Sequence, residues 1–506
     1  MPSTLANIGY NSIAKVLTMV VGVATSAILA RNLGAEDYGV VGMAMIVIGF
    51  LGRFSDVGMT PALVQRPKID NRVLETAQAL NLILAAVLVA CAFIAAPLTV
   101  VIFKNRAVPP VVSVLACSLL LTAIGFLPSA LLTREMRFAV LRTPFVTGAV
   151  IRGIVSVACA LTGWKYWSLV AGTLAGSLTT ALLLRLVRPV KVKWRLDRSV
   201  ASQLLRFGVP VWFAGLLVFV VFNVDNFVIG SLMGATQLGF YTVALTWATF
   251  GCGAVYETVH SVLFPRFSRA QHRRTELASM YYRSLRAVMF VTVLANAVLF
   301  AIADGFLVTV LGRGNPRWLP ALYPLQILCV YGAVRASIEP VGNVIMALGR
   351  SKLLLRAVLL PLSLELCLLP LAAIKGGLPA VAWLVCGAYS LQWVVYGPFL
   401  KRELDVNAAR ILKAAAPVAI AAVLAVLIVR TIGLSDPFSW ASLMLRAAVV
   451  CAIFVGVHEL LTRGAMLSEI RLLMNFGIQK PLGTPAENGM LHATSTSEVI
   501  PESPSS

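Results

Sequence analysis

Apolar residues are grouped along the chain in fourteen long runs, separated by short polar or basic segments. Each run has about 20 residues or more, enough for a helix that rises 1.5 Å per residue to cross a hydrocarbon core of about 30 Å. The runs are continuous, without the alternation over about ten residues that is typical of membrane β-strands. The pattern therefore predicts an all-α polytopic membrane protein with about fourteen transmembrane helices, at residues 8–30, 39–64, 76–103, 109–132, 143–163, 166–187, 207–232, 238–264, 285–311, 320–347, 353–374, 377–400, 410–432 and 440–462.

Composition agrees with this pattern, since 59% of the 506 residues are hydrophobic and only 12% are charged. A soluble globular chain has roughly 45–50% apolar residues. The first run carries Lys15 in its middle and is not followed by a small-residue cleavage site, so we expect a retained helix and no signal peptide. The eight cysteines lie in apolar runs without CxxC spacing, which favours small buried residues over a metal or redox site. No cofactor and no metal is expected.

The distribution of basic residues predicts the orientation of the helices. Of the 42 Lys and Arg residues, 29 lie in or beside the loops that follow even-numbered helices, together with the C-terminal tail, and eight lie on the opposite side. By the positive-inside rule, both termini are predicted to be cytoplasmic in a bacterial inner membrane. The net charge of +21 is thus spread over inter-helix loops and does not indicate nucleic-acid binding. Its densest block runs from Arg188 to Arg198 and is interpreted as an interfacial linker that contacts anionic lipid.

An internal repeat relates two parts of the chain at an offset of about 200 residues. LGAEDYGVVGMA begins at Leu33 and MGATQLGFYTVA begins at Met233, which aligns Gly34 with Gly234 and Gly39 with Gly239. The offset contains six predicted helices, an even number, so the two copies have the same orientation in the membrane. We therefore predict an N-terminal six-helix lobe, a basic linker, a C-terminal six-helix lobe, an appended two-helix hairpin and a polar, disordered cytoplasmic tail, at residues 1–187, 188–206, 207–400, 401–462 and 463–506.

Three segments carry a resemblance to a known family. They are ARNLGAEDYGVVGMAMIVIGFLGRFSDVGMTPALVQR from Ala30, VDNFVIGSLMGATQLGFYTVA from Val224 and VLFPRFS from Val262. These motifs resemble the bacterial polysaccharide transporters, the Wzx-type oligosaccharide flippases of the multidrug/oligosaccharidyl-lipid/polysaccharide exporter superfamily. The resemblance covers roughly residues 1–430 and does not identify an individual sugar.

The resemblance implies two lobes around a central cavity, lined chiefly by helices 1, 2, 7 and 8, that opens alternately to either face. It further implies a cargo of undecaprenyl-diphosphate-linked oligosaccharide repeat units, flipped to the periplasmic leaflet for exopolysaccharide or lipopolysaccharide synthesis. The expected partners are this lipid-linked oligosaccharide, the lipid bilayer, and a polysaccharide polymerase with its co-polymerase.

Charged residues inside the predicted helices are the candidate site, because an ionisable group at a helix centre costs about 2.5–3.5 kcal/mol to insert. A diphosphate would be recognised by basic side chains. The candidates for diphosphate binding are Lys15, Arg152, Arg335 and Arg53. The i,i+3 spacing of Arg53 with Asp56 and the i,i+4 spacing of Arg335 with Glu339 also permit internal ion pairs, so both interpretations stay open for these two arginines. Lys15 and Arg152 have no carboxylate within one turn of their own helices.

Asp225, Glu257 and His260 are the candidates for ion coupling or gating. Asp225 would pair with Lys15 across the lobes, bind a coupling cation, or fix helix packing. Glu257 and His260 have i,i+3 spacing and would form either a proton-carrying pair or a structural one. Arg446, in the appended hairpin, is interpreted as structural.

The alternatives are a cation-coupled multidrug exporter of the same superfamily, a flippase for the peptidoglycan precursor, and a membrane polysaccharide polymerase or ligase. The enzyme is disfavoured because every predicted outer loop is short and holds neither paired carboxylates nor a nucleophile constellation. No G-x-x-x-x-G-K-[ST] motif is present, which argues against a nucleotide-driven pump. The sequence therefore predicts a transporter and no enzymatic activity.

Overall fold

A computed structural model describes residues 4–190, 195–431 and 438–464, with the side chains of residues 4–17, 251–265 and 351 excluded. The secondary structure in these ranges is helical throughout. The N-terminal part contains α1 to α8, at Thr4–Asn32, Ala35–Asp56, Met59–Gln65, Asn71–Ala95, Leu98–Phe103, Val108–Arg134, Phe138–Leu161 and Trp167–Val187. The remainder contains α9 to α18, at Arg198–Val221, Val224–Leu232, Ala235–Arg269, Arg274–Ala301, Ala303–Gly305, Leu322–Ala347, Ser351–Ser390, Gln392–Leu404, Ala408–Thr431 and Trp440–Thr462, with a π-helix at Phe306–Leu311 and a 3₁₀ helix at Pro316–Ala321.

Several predicted membrane segments are broken helices. The second ends at Val57, whose φ of 41° is left-handed, and resumes as α3 after Gly58. The third is interrupted before α5, whose N-cap is Pro97, a residue without a backbone N–H to continue the helix. The seventh is divided between α9 and α10 at Phe222 and Asn223. Hydrophobicity alone does not reveal these breaks, because the apolar run continues through each of them.

Helix α9 begins inside the range predicted as a linker. Asp197 is its N-cap, and its Oδ1 accepts hydrogen bonds from the amides of Ser199 and Val200 at 2.9 and 3.3 Å. The Ser199 hydroxyl also donates to this carboxylate, at 2.6 Å, and with these amides it lowers the pKa of Asp197. Residues 198–206 are therefore helical, as expected downstream of an Asp cap.

The helix α15 covers two predicted segments, 353–374 and 377–400, with α16 completing the second. Gly377 lies between them with φ 65° and ψ −163°, which is not a helical conformation. Only glycine adopts such angles readily. The chain therefore changes direction at Gly377 within one continuous hydrophobic stretch.

Helix α2 holds the two halves of the described chain together. It packs on α4 and α6 of its own half and on α9, α10 and α11 of the other half. Its buried residues Met43 and Ala44 share one apolar core with Leu238 and Tyr241 of α11. A second core joins α12 and α14 to the hairpin of α17 and α18, through residues such as Phe290, Val418 and Phe454.

Large apolar side chains cover the outside of the helices. Ile94, Leu186 and Ile374 are 79%, 73% and 71% exposed. Eleven helical segments of the described chain are long and apolar enough to cross a membrane. An apolar exterior of this extent fits lipid and does not fit water. The protein is a multi-pass α-helical membrane protein. The cysteines differ from expectation in part, because Cys91, Cys117 and Cys367 are exposed on this exterior whereas Cys329 and Cys386 are buried.

Candidate functional site

Three of the predicted site residues have side chains outside the described part of the structure. They are Lys15 on α1 and the Glu257–His260 pair on α11. Their assignments stay predictions. The other candidates, Arg53, Arg152, Arg335 and Asp225, lie on described segments.

Arg53 does not form the internal ion pair that its spacing with Asp56 permits. Both side chains are described, and Asp56 instead accepts hydrogen bonds from the amide and hydroxyl of Thr60, at 3.1 and 3.2 Å. These bonds arise because the helix breaks at Val57, so the carboxylate turns toward the start of α3. The guanidinium of Arg53 lies 5.3 Å from the ring centroid of Phe219 on α9. Arg53 is exposed, and its cationic head rests on an aromatic face across the contact between the two halves.

Arg335 forms the predicted pair with Glu339. Its Nε donates to Glu339 Oε1 at 2.7 Å, and the two side chains are 21% and 12% exposed. The guanidinium also lies 5.6 Å from the ring centroid of Phe222, at the break between α9 and α10. A partly buried pair of this kind neutralises itself locally. Arg335 therefore offers less free charge to an anion than an unpaired arginine would.

Arg152 is a second accessible base without an ion pair among the described candidates, beside Arg53. It lies in the middle of α7, is exposed, and has no ion-pair or hydrogen-bond partner for its guanidinium among the described residues. The Cβ atom of Arg152 packs closely against α8. A Cβ atom added to Gly176 of α8 would lie only 2.8 Å from the Arg152 Cβ atom. The next residue, Gly153, packs on Thr25 of α1. The arginine head thus emerges beside a tightly packed group of three helices.

Three of the four bases predicted from the sequence to bind a diphosphate, Lys15, Arg53 and Arg152, lie at two levels along the helices. Gly153 contacts Thr25, so Arg152 is level with that part of α1. Lys15 precedes Thr25 by ten positions, or about 15 Å along the helix axis. The end of α1 and the start of α2 are joined by a short turn, so distances along both helices can be measured from it. Arg53 lies about 27 Å along α2 from this turn, and Lys15 lies about 24 Å along α1 from it. Arg53 and Lys15 are therefore near the same level. The backbones of Lys15 and Arg152 are therefore separated by about 15 Å along the helix axis.

Asp225 is buried in a polar cluster at the start of α10. Its Oδ2 accepts a hydrogen bond from the Tyr241 hydroxyl at 2.7 Å, and its Oδ1 accepts one from the Asn226 amide at 2.7 Å. Asp225 is only 6% exposed and Tyr241 is fully buried, so neither side chain is accessible in this conformation. Asp225 also lies within electrostatic range of Glu365, a buried carboxylate on α15.

Glu365 is the functional candidate that sequence reasoning did not assign to the site. A carboxylate in an apolar run signals function or a partner, and that signal was visible. Its neighbour is 140 positions away in sequence, and the packing of α10 on α15 brings the two together. A group of three side chains suited to a metal ion does not occur among the described residues.

Arg446 has a structural partner, as its position in the appended hairpin suggested. Its Nη1 lies 3.4 Å from Asp304 Oδ2, on the short helix that follows α12. The pair ties α18 to the C-terminal half and leaves no reason to place Arg446 on a substrate path.

The described site thus separates charge by accessibility. The arginines at 53 and 152 are exposed, whereas the carboxylates at 225 and 365 are buried. Accessible guanidinium groups bind phosphate oxygens through charge-assisted hydrogen bonds. Buried carboxylates close to each other favour a proton or a cation. The exposed guanidinium groups have the chemistry to bind an anion, and the buried carboxylates have the chemistry to bind a proton or a small cation.

Similar proteins with curated names act in polysaccharide assembly. The succinoglycan biosynthesis transport protein ExoT of Rhizobium meliloti (strain 1021) is 25% identical over 494 residues, covering 95% of this chain and 97% of that protein. The lipopolysaccharide biosynthesis protein WzxC of Escherichia coli (strain K12) is 25% identical over 353 residues, covering 69% and 70%. The teichuronic acid biosynthesis protein TuaB of Bacillus subtilis (strain 168) is 25% identical over 337 residues, covering 65% and 68%.

Solved structures of transporters share the fold. The lipid II flippase MurJ in an inward closed conformation superposes with a TM-score of 0.75 at 13% identity, covering 90% of this chain and 99% of that one. An inward-facing MATE-family multidrug resistance transporter of the MOP superfamily has a TM-score of 0.61 at 15% identity, covering 78% and 98%. At such identities the likeness concerns the fold alone. The family described as polysaccharide biosynthesis protein matches residues 28–322, more than half of the chain. The chain belongs to this family.

Proposed function

We propose that this protein flips undecaprenyl-diphosphate-linked oligosaccharide repeat units from the cytoplasmic to the periplasmic leaflet by alternating access. The observation that carries the proposal is the separation of charge within the membrane: accessible Arg53 and Arg152, buried Asp225 and Glu365. An exposed arginine on a lipid-facing helix surface would be costly, so we place these guanidinium groups on a hydrated path between the two halves. The relatives named for lipopolysaccharide biosynthesis and for succinoglycan biosynthesis transport support this cargo.

The proposed architecture has fourteen transmembrane segments. Eleven are the candidate spans; α1 and α11 supply two more; and division at Gly377 separates the 53-residue candidate into two. We assign α1 to α8 to one six-segment lobe, α9 to α16 to the second, and α17 with α18 to the appended hairpin. Both termini are proposed to lie in the cytoplasm of a bacterial inner membrane, with the polymerase and co-polymerase acting on the released product.

Within this architecture we propose two successive positions for the diphosphate. Arg53 and Lys15 are placed at the cytoplasmic entrance and Arg152 further out, about 15 Å along the path. Arg335 is a weaker candidate because Glu339 already pairs with it. Asp225 with Glu365 is proposed as the site of ion coupling, and Glu257 with His260 stays a second coupling candidate.

The test is deletion of the gene, with measurement of exported polymer and of lipid-linked oligosaccharide in the membrane. Loss of polymer, with repeat units accumulating in the cytoplasmic leaflet, is the expected result. Complementation with Arg152→Ala should restore less than about a tenth of export, because removing a charge-assisted hydrogen bond costs about 1.5–3 kcal/mol. Arg152→Lys should restore more, since it keeps the positive charge. The control is Arg142→Ala, which removes an exposed arginine near the start of the same helix.

Unchanged polymer in the deletion strain would contradict the proposal. New sensitivity of that strain to cationic drugs would then favour a multidrug exporter, like the structurally similar MATE-family transporter. The buried carboxylates are the observation that suits this second candidate, because acidic groups attract organic cations.

A further inference from the structure

The outer end of α2 crosses the outer end of α11 backbone to backbone. A Cβ atom on Gly39 would lie 1.7 Å from the carbonyl oxygen of Ala235, and one on Gly239 would lie 1.7 Å from that of Ala35. The contact is reciprocal, because residues 200 positions apart exchange roles, as equivalent residues do in a two-fold interface. Any side chain beyond hydrogen would collide with rigid backbone, so glycine is required on both helices.

Hydrogen bonds to the end of α1 close the same side. The carbonyl oxygen of Ala30 accepts hydrogen bonds from Arg317 Nη2 at 2.7 Å and from Trp318 Nε1 at 3.0 Å. Arg31 Nε in turn donates to the carbonyl oxygen of Val310 at 2.7 Å. Trp318 is fully buried and packs edge-on against Tyr38 of α2, 5.7 Å away. These contacts join the N-terminal half to the segment between α12 and α14.

The inner end of α2 makes a second backbone crossing, with α9. A Cβ atom on Gly208 would lie 2.0 Å from the carbonyl oxygen of Val57, and one on Gly58 would lie 2.4 Å from that of Gly208. The rings of Phe54 and Trp212 pack beside this crossing with centroids 4.9 Å apart. Gly39 and Gly58 are 19 residues apart on α2 and α3, or about 28 Å, so the crossings lie near opposite faces of the membrane.

The two crossings differ in symmetry. The repeat counterpart of the Gly58–Gly208 contact would pair Ile8 with Thr258, and neither is a glycine. Both of those side chains lie outside the described residues. At the outer crossing the two glycines are repeat equivalents of each other. At the inner crossing both Gly58 and Gly208 lack a glycine at the equivalent position of the other repeat.

We propose that the Gly39–Gly239 crossing is the outer gate and the Gly58–Gly208 crossing is an inner gate, and that each must separate in turn for cargo to pass. The inference rests on the proposed function for the identity of the cargo. A backbone contact is either formed or broken, which suits a switch between discrete states. Glycine allows closure, and a side chain at the same position acts as a wedge that holds its own gate open.

The test uses spin-label distances in lipid nanodiscs, with the eight native cysteines replaced. One pair, Arg106→Cys with Arg313→Cys, reports the outer side, and a second, Arg142→Cys with Arg402→Cys, reports the inner side. Gly39→Val should shift the outer distances to longer values and leave the inner distances unchanged; Gly208→Val should do the reverse. At each crossing the helices should move toward the ordinary spacing of about 8–10 Å. Gly387→Val is the matched control, because open space surrounds that helical glycine.

Equal changes on both sides, or no change at the wedged side, would overturn the proposal. Where a valine variant does not fold, Gly39→Ala and Gly208→Ala apply the same test with a smaller wedge, because their Cβ atoms alone collide with a carbonyl oxygen. The distances are measured without cargo. If the distances change as expected but deletion of the gene leaves the polymer unchanged, the two gates are supported and the proposed cargo is rejected. If deletion abolishes the polymer but the distances do not change as expected, the cargo is supported and the gates are rejected.

Discussion

The Asp225 carboxylate accepts three hydrogen bonds and has no cationic partner among the described residues, while Glu365 lies in electrostatic range. Two such groups in an apolar interior cannot both be charged without a compensating ion. A ligand that binds only the folded state at about 100 times its Kd stabilises that state by about 2.7 kcal/mol. A proton or metal cation taken up between these carboxylates should therefore stabilise the folded protein measurably.

This predicts that the thermal unfolding temperature of the purified protein rises when the coupling cation is added. The measurement compares sodium, potassium and choline chloride at several pH values from about 5 to 8. Asp225→Asn and Glu365→Gln should each abolish the rise in unfolding temperature on addition of the cation. Asp304→Asn removes a carboxylate that pairs with Arg446, and this variant should still show the rise. A wild-type protein that responds to neither salt nor pH would contradict coupling at this site.

At the scale of elements, Arg134 holds the short helix α3 to the end of α6. Its guanidinium donates to the carbonyl oxygens of Leu63 and Pro67 at 2.9 and 3.0 Å, and also to that of Arg66. These carbonyls end a helix and have no partner within it. The planar fork of arginine reaches several of them at once, which the single ammonium of lysine does not.

Arg134→Ala should therefore destabilise the packing of α3 against α6 by about 1.5–3 kcal/mol, the value of a hydrogen bond to a charged group. The expected results are a lower unfolding temperature and faster trypsin cleavage after Lys68. Arg134→Lys should recover only part of the loss. Arg137→Ala is the control, because its pairing with Glu135 at 3.8 Å is exposed to solvent and contributes little. Equal effects of the two alanine variants would show that Arg134 is not the anchor.

At the scale of the whole molecule, the orientation decides which crossing faces the periplasm. Single cysteines at Lys165 and Arg313, on the side predicted to face outward, should react with a membrane-impermeant maleimide in intact cells. Cysteines at Arg142 and Arg402 should react only after the membrane is permeabilised. All four positions are exposed in the structure, so access to the reagent depends on the side of the membrane. The opposite labelling pattern would reverse the orientation and exchange the two gates.

The sequence by itself determined the helical membrane class, the repeat at 200 residues and the family resemblance. These follow from the length of the apolar runs and from local motifs, both of which are visible in a single sequence. It also marked Asp225, Arg335 and Arg446 as charges that need partners, and the i,i+4 rule named the partner of Arg335.

Only the tertiary structure decided which of the remaining charges meet. The helix break at Val57 turned Asp56 toward Thr60, and Arg53 lies over Phe219 instead of forming the ion pair that its i,i+3 spacing permits. Packing brought Glu365 to Asp225 and set Arg152 about 15 Å from the level of Lys15. The repeat aligned Gly39 with Gly239, but the crossing of the two helices brings them into contact. Contacts between residues hundreds of positions apart are determined by packing in three dimensions. Such contacts leave no periodic signal along the chain, so the sequence does not reveal them.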